Sequence, residues 1–255
     1  ADLLTCGIAT IIQSAGLGPR IGVRLPLIQG VTFTAVSPLI AIGLAASGGA
    51  GGTGGLPAMY GSIIAAGILT FLAAPYFARL LRFFPPVVTG PIVIAIGLTL
   101  ASSAIQNAST NWFIAIVAIV TIIVCNIWGK GMVKIIPILL GVIVSYLVAA
   151  AMGEVDFSRV ADASWIGLPV LWHNTVFSLF GDGFNAGIAI TAIITIMPLA
   201  FATMIEHIGD ISAISSTCNR NYIAEPGLHR TLLGDGLATI LASLFGAPAN
   251  TTYGE

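Results

Sequence analysis

"LLTCGIATII" (residues 3–12) returns 229 positions later as "LLGDGLATIL" (residues 232–241), with six of ten positions identical and two more exchanging Ile for Leu. A match this long between the two ends of an apolar chain points to an internal repeat. What lies between the copies decides the fold. Mainly apolar runs occupy roughly 56–75, 87–105, 112–128, 133–152, 184–205 and 231–247, and a shorter one covers Phe33–Ala46. A helix needs about 20 such residues to cross the hydrocarbon core of a bilayer. Counting from the first copy to the second gives seven crossings, an odd number, so the copies run in opposite directions. Inverted repeats of this kind characterise many secondary transporters, which bind their cargo near the membrane midplane.

Composition agrees. Hydrophobic residues make up 57% of the chain and charged ones 7%, against about 25% charged in ordinary soluble domains. This inventory cannot build a water-facing surface, so we read an integral membrane protein. Unbroken apolar runs exclude a β-barrel, whose strands alternate polar and apolar. There is no basic patch, which disfavours nucleic acid as a partner. Three widely spaced cysteines, Cys6, Cys125 and Cys218, do not form a disulfide or metal framework. No HExxH, CxxC or paired-histidine spacing occurs, so no metal and no cofactor are expected. The basic residues fall in alternate loops: Arg20 and Arg24, Arg79 and Arg82, Lys130 and Lys134, Arg220 and Arg230. That pattern places those loops in the cytoplasm. The 153–183 segment, with Trp165 and Trp172, then becomes an outside loop. The chain starts without Met or a basic leader, and the repeat count implies a longer protein of which it holds a little over half.

After each copy comes a stretch ill suited to a helix, "IQGVTFTAVSP" (28–38) and "GAPANTTYGE" (246–255). Glycine, proline and β-branched residues favour extended backbone there. At membrane depth such backbone survives only when buried in protein or lining a cavity. The expectation is a pair of broken segments with short extended strands facing a polar ligand.

The ionisable residues concentrate in "TMIEHIGDIS" (203–212). Glu206 and Asp210 are four apart and share a helix face, with His207 turned about 100° away. A carboxylate at the bilayer centre costs on the order of 2.5–3.5 kcal/mol on insertion scales. No Lys or Arg lies within nine residues to neutralise the pair. A low dielectric disfavours charging both, which suits binding and release of a proton. Asp235, early in the following span, either serves that helix end or enters the core, and the sequence does not separate the two.

The strings "EHIGD" (206–210), "EPGLHRTLLGDG" (225–236) and "PANTTYGE" (248–255), in this order and spacing, resemble the nucleobase–ascorbate transporter family. "QGVTFTAVSP" (29–38) and "RFFPPVVTGPIVIAIGL" (82–98) fit the same family. The resemblance covers the whole chain and is closest to the bacterial uracil permease branch. It implies an all-α polytopic membrane protein of two inverted seven-helix repeats, fourteen segments in full, with about eight and one partial here. It also implies a core domain (1–75 and 184–255), gate helices (76–160) and an extracytoplasmic loop (161–183). The activity it implies is not enzymatic: proton-coupled symport of a nucleobase, uracil foremost, across the bacterial inner membrane by a homodimer. Xanthine or uric acid is the alternative cargo, and an anion transporter of the same fold the more distant one. The site it implies takes Glu206, Glu255, Gly254, Phe33 and Tyr253 as substrate ligands, with the proton at Asp210 or Glu206. Two features pull apart. Uracil-branch members often carry His where this chain has Asp210, and "RLPLIQGVTF" (24–33) looks more like the purine branch, whereas Glu255 suits the uracil branch.

Overall fold

The computed structural model describes residues 1–18, 21–22, 24, 27–49, 55–80, 86–158, 167, 170, 175–177 and 185–253. Gly254, Glu255, Trp165, Trp172 and most of the 161–183 loop lie outside the described residues.

The first apolar run is helix α1 (Asp2–Ala15). The chain then forms strand β1 (Gln29–Val31), one 3-10 turn (Phe33–Ala35) and α2 (Val36–Ala46). The first broken segment is therefore extended only as far as Thr32. Pro38 falls in the opening turn of α2, where a missing N–H costs no hydrogen bond. Next come α3 (Leu56–Leu80) and α4 (Pro86–Ala108). α5 (Trp112–Trp128) starts at Asn111, whose side chain accepts from the Ile114 N–H at 3.3 Å. The run expected over 133–152 is not one helix. It splits into α6 (Met132–Ile135) and α7 (Pro137–Ala151), because Pro137 drives Ile136 out of helical geometry (φ −119°, ψ 44°).

The run over 184–205 extends further than its hydropathy suggests. α8 spans Ala186–Thr217, capped at its start by Asn185, which accepts from Gly187 and Ile188 N–H. It carries Glu206, His207 and Asp210 through the interior of a helix rather than at its end. α9 (Leu228–Leu244) follows, and the chain turns at Gly246, with φ +75°, into strand β2 (Asn250–Thr252). Residues Leu56–Phe77 and Ala186–Thr217 are long and apolar enough to cross a membrane. Shorter apolar helices cover Asp2–Ala15, Phe33–Ala46, Trp112–Trp128 and Pro137–Ala151.

The chain divides into two compact units, residues 1–96 with 168–255, and residues 97–167. In the first, α9 is the hub and packs on α3, α1 and α8. Its approach to α3 needs glycine on both sides. A Cβ on Gly236 would sit 2.7 Å from the Phe71 nitrogen, and one on Gly67 would sit 2.9 Å from Ile240 Cγ1. Small residues that let backbones touch are the usual currency of helix association in lipid. Leu27, Ile63, Phe77, Ile196, Met204, Ile211, Leu228 and Leu232 form the buried core around this crossing. In the second unit α5 packs on α7, with Gly141 of α7 against Ile122. α5 buries none of its side chains completely, and Trp112, Ile116, Ile119, Ile123 and Trp128 are all exposed. A helix apolar on every side cannot face water. Hydrocarbon suits it.

β1 and β2 pair antiparallel, with Gln29 opposite Thr252, Gly30 opposite Thr251 and Val31 opposite Asn250. The ladder continues by one bond at each end, Thr32 N–H to Ala249 O and Tyr253 N–H to Ile28 O, both 2.9 Å. The two broken segments thus meet. Each follows one copy of the repeated stretch, since residues 3–12 lie in α1 and 232–241 in α9.

Candidate functional site

Just beyond β1 the chain delivers two threonines to Glu206. Thr34 Oγ1 donates to Glu206 Oε2 at 2.7 Å, and Thr32 Oγ1 approaches the same oxygen at 3.4 Å. Both hydroxyls use Oε2, so neither engages Oε1. Thr32 is buried, Glu206 and Thr34 are half-buried, and Phe33 between the threonines is 57% exposed. A half-buried carboxylate held by hydroxyl donors can receive an N–H-bearing ligand. Tyr253 lies on the same strand pair. Its ring covers Gly30, where any side chain would collide with it, and its hydroxyl donates to Val31 O at 2.9 Å. Glu206 thus meets the chain just after β1, Phe33 lies in the turn that follows the strand, and Tyr253 covers Gly30 within it. Asp210 is half-buried one helical turn beyond Glu206.

The structure places His207 in the crossing of α8 and α9. It is fully buried, with Nδ1 2.7 Å from Asp235 Oδ2 and Nε2 2.6 Å from Thr231 Oγ1. The Asp235 contact is close but off the N–H axis, an ion pair more than an aligned hydrogen bond. Asp235 also leaves behind its ambiguity: it is not at a solvated helix end but 5% exposed in the core. Its Oδ1 receives Gln29 Nε2 at 2.6 Å, Thr252 Oγ1 at 2.9 Å and Gln13 Nε2 at 3.2 Å. One carboxylate therefore fastens α1, β1, β2 and, through His207, α8. A signal for this existed. Asp235 sits in the repeat where the first copy has Cys6, and the Cys6 thiol in turn lies 3.6 Å from Asn250 Oδ1 of β2.

With this geometry in hand, the chain was compared with known proteins. The model of the Permease family matches residues 1–255. The chain belongs to that family, the nucleobase–ascorbate transporters. Permease family members are integral membrane transporters, which fits the exposed apolar helices. Among its relatives is the uric acid permease PucK of Bacillus subtilis, 36% identical over 265 residues, covering 100% of this chain and 57% of the relative. The uracil permease of Bacillus subtilis is 37% identical over 250 residues, covering 91% of this chain and 54% of the relative. A probable uracil permease of Haemophilus influenzae is 35% identical over 262 residues, covering 99% and 59%. The chain thus spans a little over half the length of these curated relatives. Permease membership and relatives named as transporters point to a transporter rather than an enzyme. Among the described residues no group of three or more His, Cys, Asp or Glu could hold a metal.

Proposed function

We propose that this permease is a proton-coupled importer of a nucleobase, with uracil as its preferred cargo. The observation that carries the reading is Glu206, presented by Thr34 and Thr32 beside Phe33. Uracil offers alternating N–H and C=O groups on a flat ring. A carboxylate matches its N–H groups, and exposed backbone or aromatic surface matches the rest. Glu255 and Gly254, just past β2, supply further contacts in this scheme, and Tyr253 lines the strand side. Asp210, one turn from Glu206, takes the coupling proton, or Glu206 does so itself. The names of the relatives support a nucleobase: uracil for some, uric acid for PucK.

The same scheme makes α1 and α9 equivalent helices of two inverted repeats. The contacts of Cys6 with Asn250 and of Asp235 with Gln29 and Thr252, made from matching positions of the two helices, support this relation. A core of residues 1–75 and 184–255 then rocks against gate helices drawn from 76–160, in a homodimer of the bacterial inner membrane. A uric acid or xanthine permease is the second reading, favoured by PucK and by "RLPLIQGVTF" (24–33).

Competition uptake by cells expressing the protein at full length, with uracil, xanthine and uric acid at several pH values, tests both readings. Uracil should compete best, and uptake should fall when a protonophore collapses the gradient. Unchanged uracil affinity in Glu206→Gln would remove Glu206 from the site. An intact pH dependence in Asp210→Asn would move the coupling role elsewhere.

A further inference from the structure

The His207 ring faces a hydrogen-bond acceptor at each nitrogen. Thr231 Oγ1 has its hydrogen engaged by Leu228 O at 2.8 Å, which leaves only lone pairs for His207 Nε2 at 2.6 Å. Asp235 Oδ1 takes three donors, the pattern of an ionised carboxylate, and Oδ2 lies against Nδ1. A bare ring nitrogen would be repelled by a carboxylate oxygen at 2.7 Å or by a hydroxyl lone pair at 2.6 Å, so both nitrogens carry hydrogen. The ionisable groups around the ring are Asp235 on α9 and Glu206 and Asp210 on its own helix. Gln13 from α1, Gln29 from β1 and Thr252 from β2, the donors to Asp235 Oδ1, are neutral. The ring is fully buried and Asp235 nearly so, so neither meets bulk water.

We infer that His207 is a positioning residue that keeps both ring protons through the transport cycle and holds its neighbour Glu206 at the site through Asp235. The mechanics follow from adjacency. Residue 206 of α8 reaches the turn after β1, and residue 207 reaches α9. Asp235, the partner of 207, is bonded in turn to Gln29 and Thr252, the paired residues of the two strands. Rotation or sliding of α8 would break both sets of contacts together. His207 and Asp235 thereby fix where Glu206 stands relative to β1, while the mobile proton resides on the half-buried carboxylates. The inference rests on the proposed role of Glu206 only in its second half. The protonation of the ring stands on its own geometry.

The test has two arms. In the first, the full-length protein labelled with ¹⁵N-histidine is placed in lipid and its ring nitrogens are followed across roughly pH 5–9, where an ordinary imidazole titrates. The signal missing from His207→Gln identifies the residue. Two protonated nitrogens throughout are expected, and a deprotonated one at any pH in that range overturns the inference. In the second, His207→Gln and Asp235→Asn should each raise the KM for uptake on the order of tenfold or more. The pH midpoint of uptake should stay in place, and the double variant should be no worse than the poorer single. An unchanged KM, or a pH midpoint that moves, overturns the positioning role. If the His207 variant fails to reach the membrane, Thr231→Val and Thr231→Ser decide instead. Valine, which removes the acceptor, should raise the KM, and serine, which keeps it, should not. Failure of Glu206→Gln to affect uptake would sink the site reading while leaving the ring signal to be judged separately.

Discussion

Gly30→Ala is the sharpest test of the strand pair, because one methyl group probes the geometry on both sides of it. Gly30 sits in the middle of β1 with ordinary extended backbone, so alanine meets no conformational penalty there. What it meets is Tyr253. The new Cβ would stand 2.6 Å from the Tyr253 hydroxyl oxygen and still closer to ring atoms Cζ and Cε2. Comfortable contact begins near 3.5 Å, so the ring must move by roughly 1 Å. The hydroxyl now donates to Val31 O at 2.9 Å. A displacement of that size takes it past hydrogen-bond range. Overpacking contributes about 1–3 kcal/mol and the lost bond about 1 kcal/mol. The variant should therefore show a lower melting temperature in detergent and, with Tyr253 displaced, a higher KM for uracil. Tyr253→Ala supplies the control. In that background the added Gly30→Ala should change stability by less than about 0.5 kcal/mol, because the clashing ring is gone. Equal penalties in both backgrounds would show that Tyr253 does not lie over Gly30, and the strand register would be wrong with it.

Further outcomes follow from the same geometry. Thr34→Val removes the 2.7 Å donor to Glu206 and should weaken substrate binding about tenfold, since a charge-assisted hydrogen bond contributes about 1.5–3 kcal/mol. Thr32→Val, whose contact is 3.4 Å, should weaken it less, and the reverse order in measured affinities would refute the arrangement. Gly236→Ala places a Cβ 2.7 Å from the Phe71 nitrogen and 2.9 Å from its Cα. That should lower stability in detergent by about 1–3 kcal/mol, as overpacking against backbone does. Gln29→Glu turns a 2.6 Å donor to Asp235 into a second carboxylate in a buried site. Little folded protein should be recovered, as an uncompensated buried charge costs about 3–5 kcal/mol.

The helices were legible in the sequence wherever hydropathy alone decides them. α3, α4 and α5 fall close to their apolar runs, because a bilayer selects on length and apolarity. Boundaries set by local chemistry were harder. The Ile136–Pro137 break required the steric demand of proline on the residue before it, which a hydropathy window averages away. α8 continues to Thr217 because Ile208, Ile211 and Ile214 keep one face apolar while the mean hydropathy falls. The broken segments were visible from their glycine, proline and threonine content. Their pairing was not, since no residue in either stretch names its partner across more than 200 positions. Glu206 stood out as a costly charge. The place of His207 was not legible: turned about 100° from the carboxylate face, it points into the crossing of α8 and α9.

A two-stranded ribbon is marginal by itself, and here it has three residues in each strand. Something must hold it at the helix crossing. Thr239 Oγ1 donates to Asn250 O at 2.8 Å, Tyr253 Oη to Val31 O at 2.9 Å, and Asp235 collects Gln29 and Thr252 from opposite strands. The ribbon is thus built by side chains more than by its own ladder. Asp235 can serve in that way because His207 neutralises it, and a buried charge is tolerable only when paired and fully bonded. The ionisable residues of α8 and α9 therefore divide by burial. His207 and Asp235, sealed and mutually compensated, fix the scaffold; Glu206 and Asp210 stay half-buried, which leaves them the access that the proposed ligand and proton binding needs. Reversing that division by exposing the His207 pair would loosen the ribbon, and burying Glu206 would close the site.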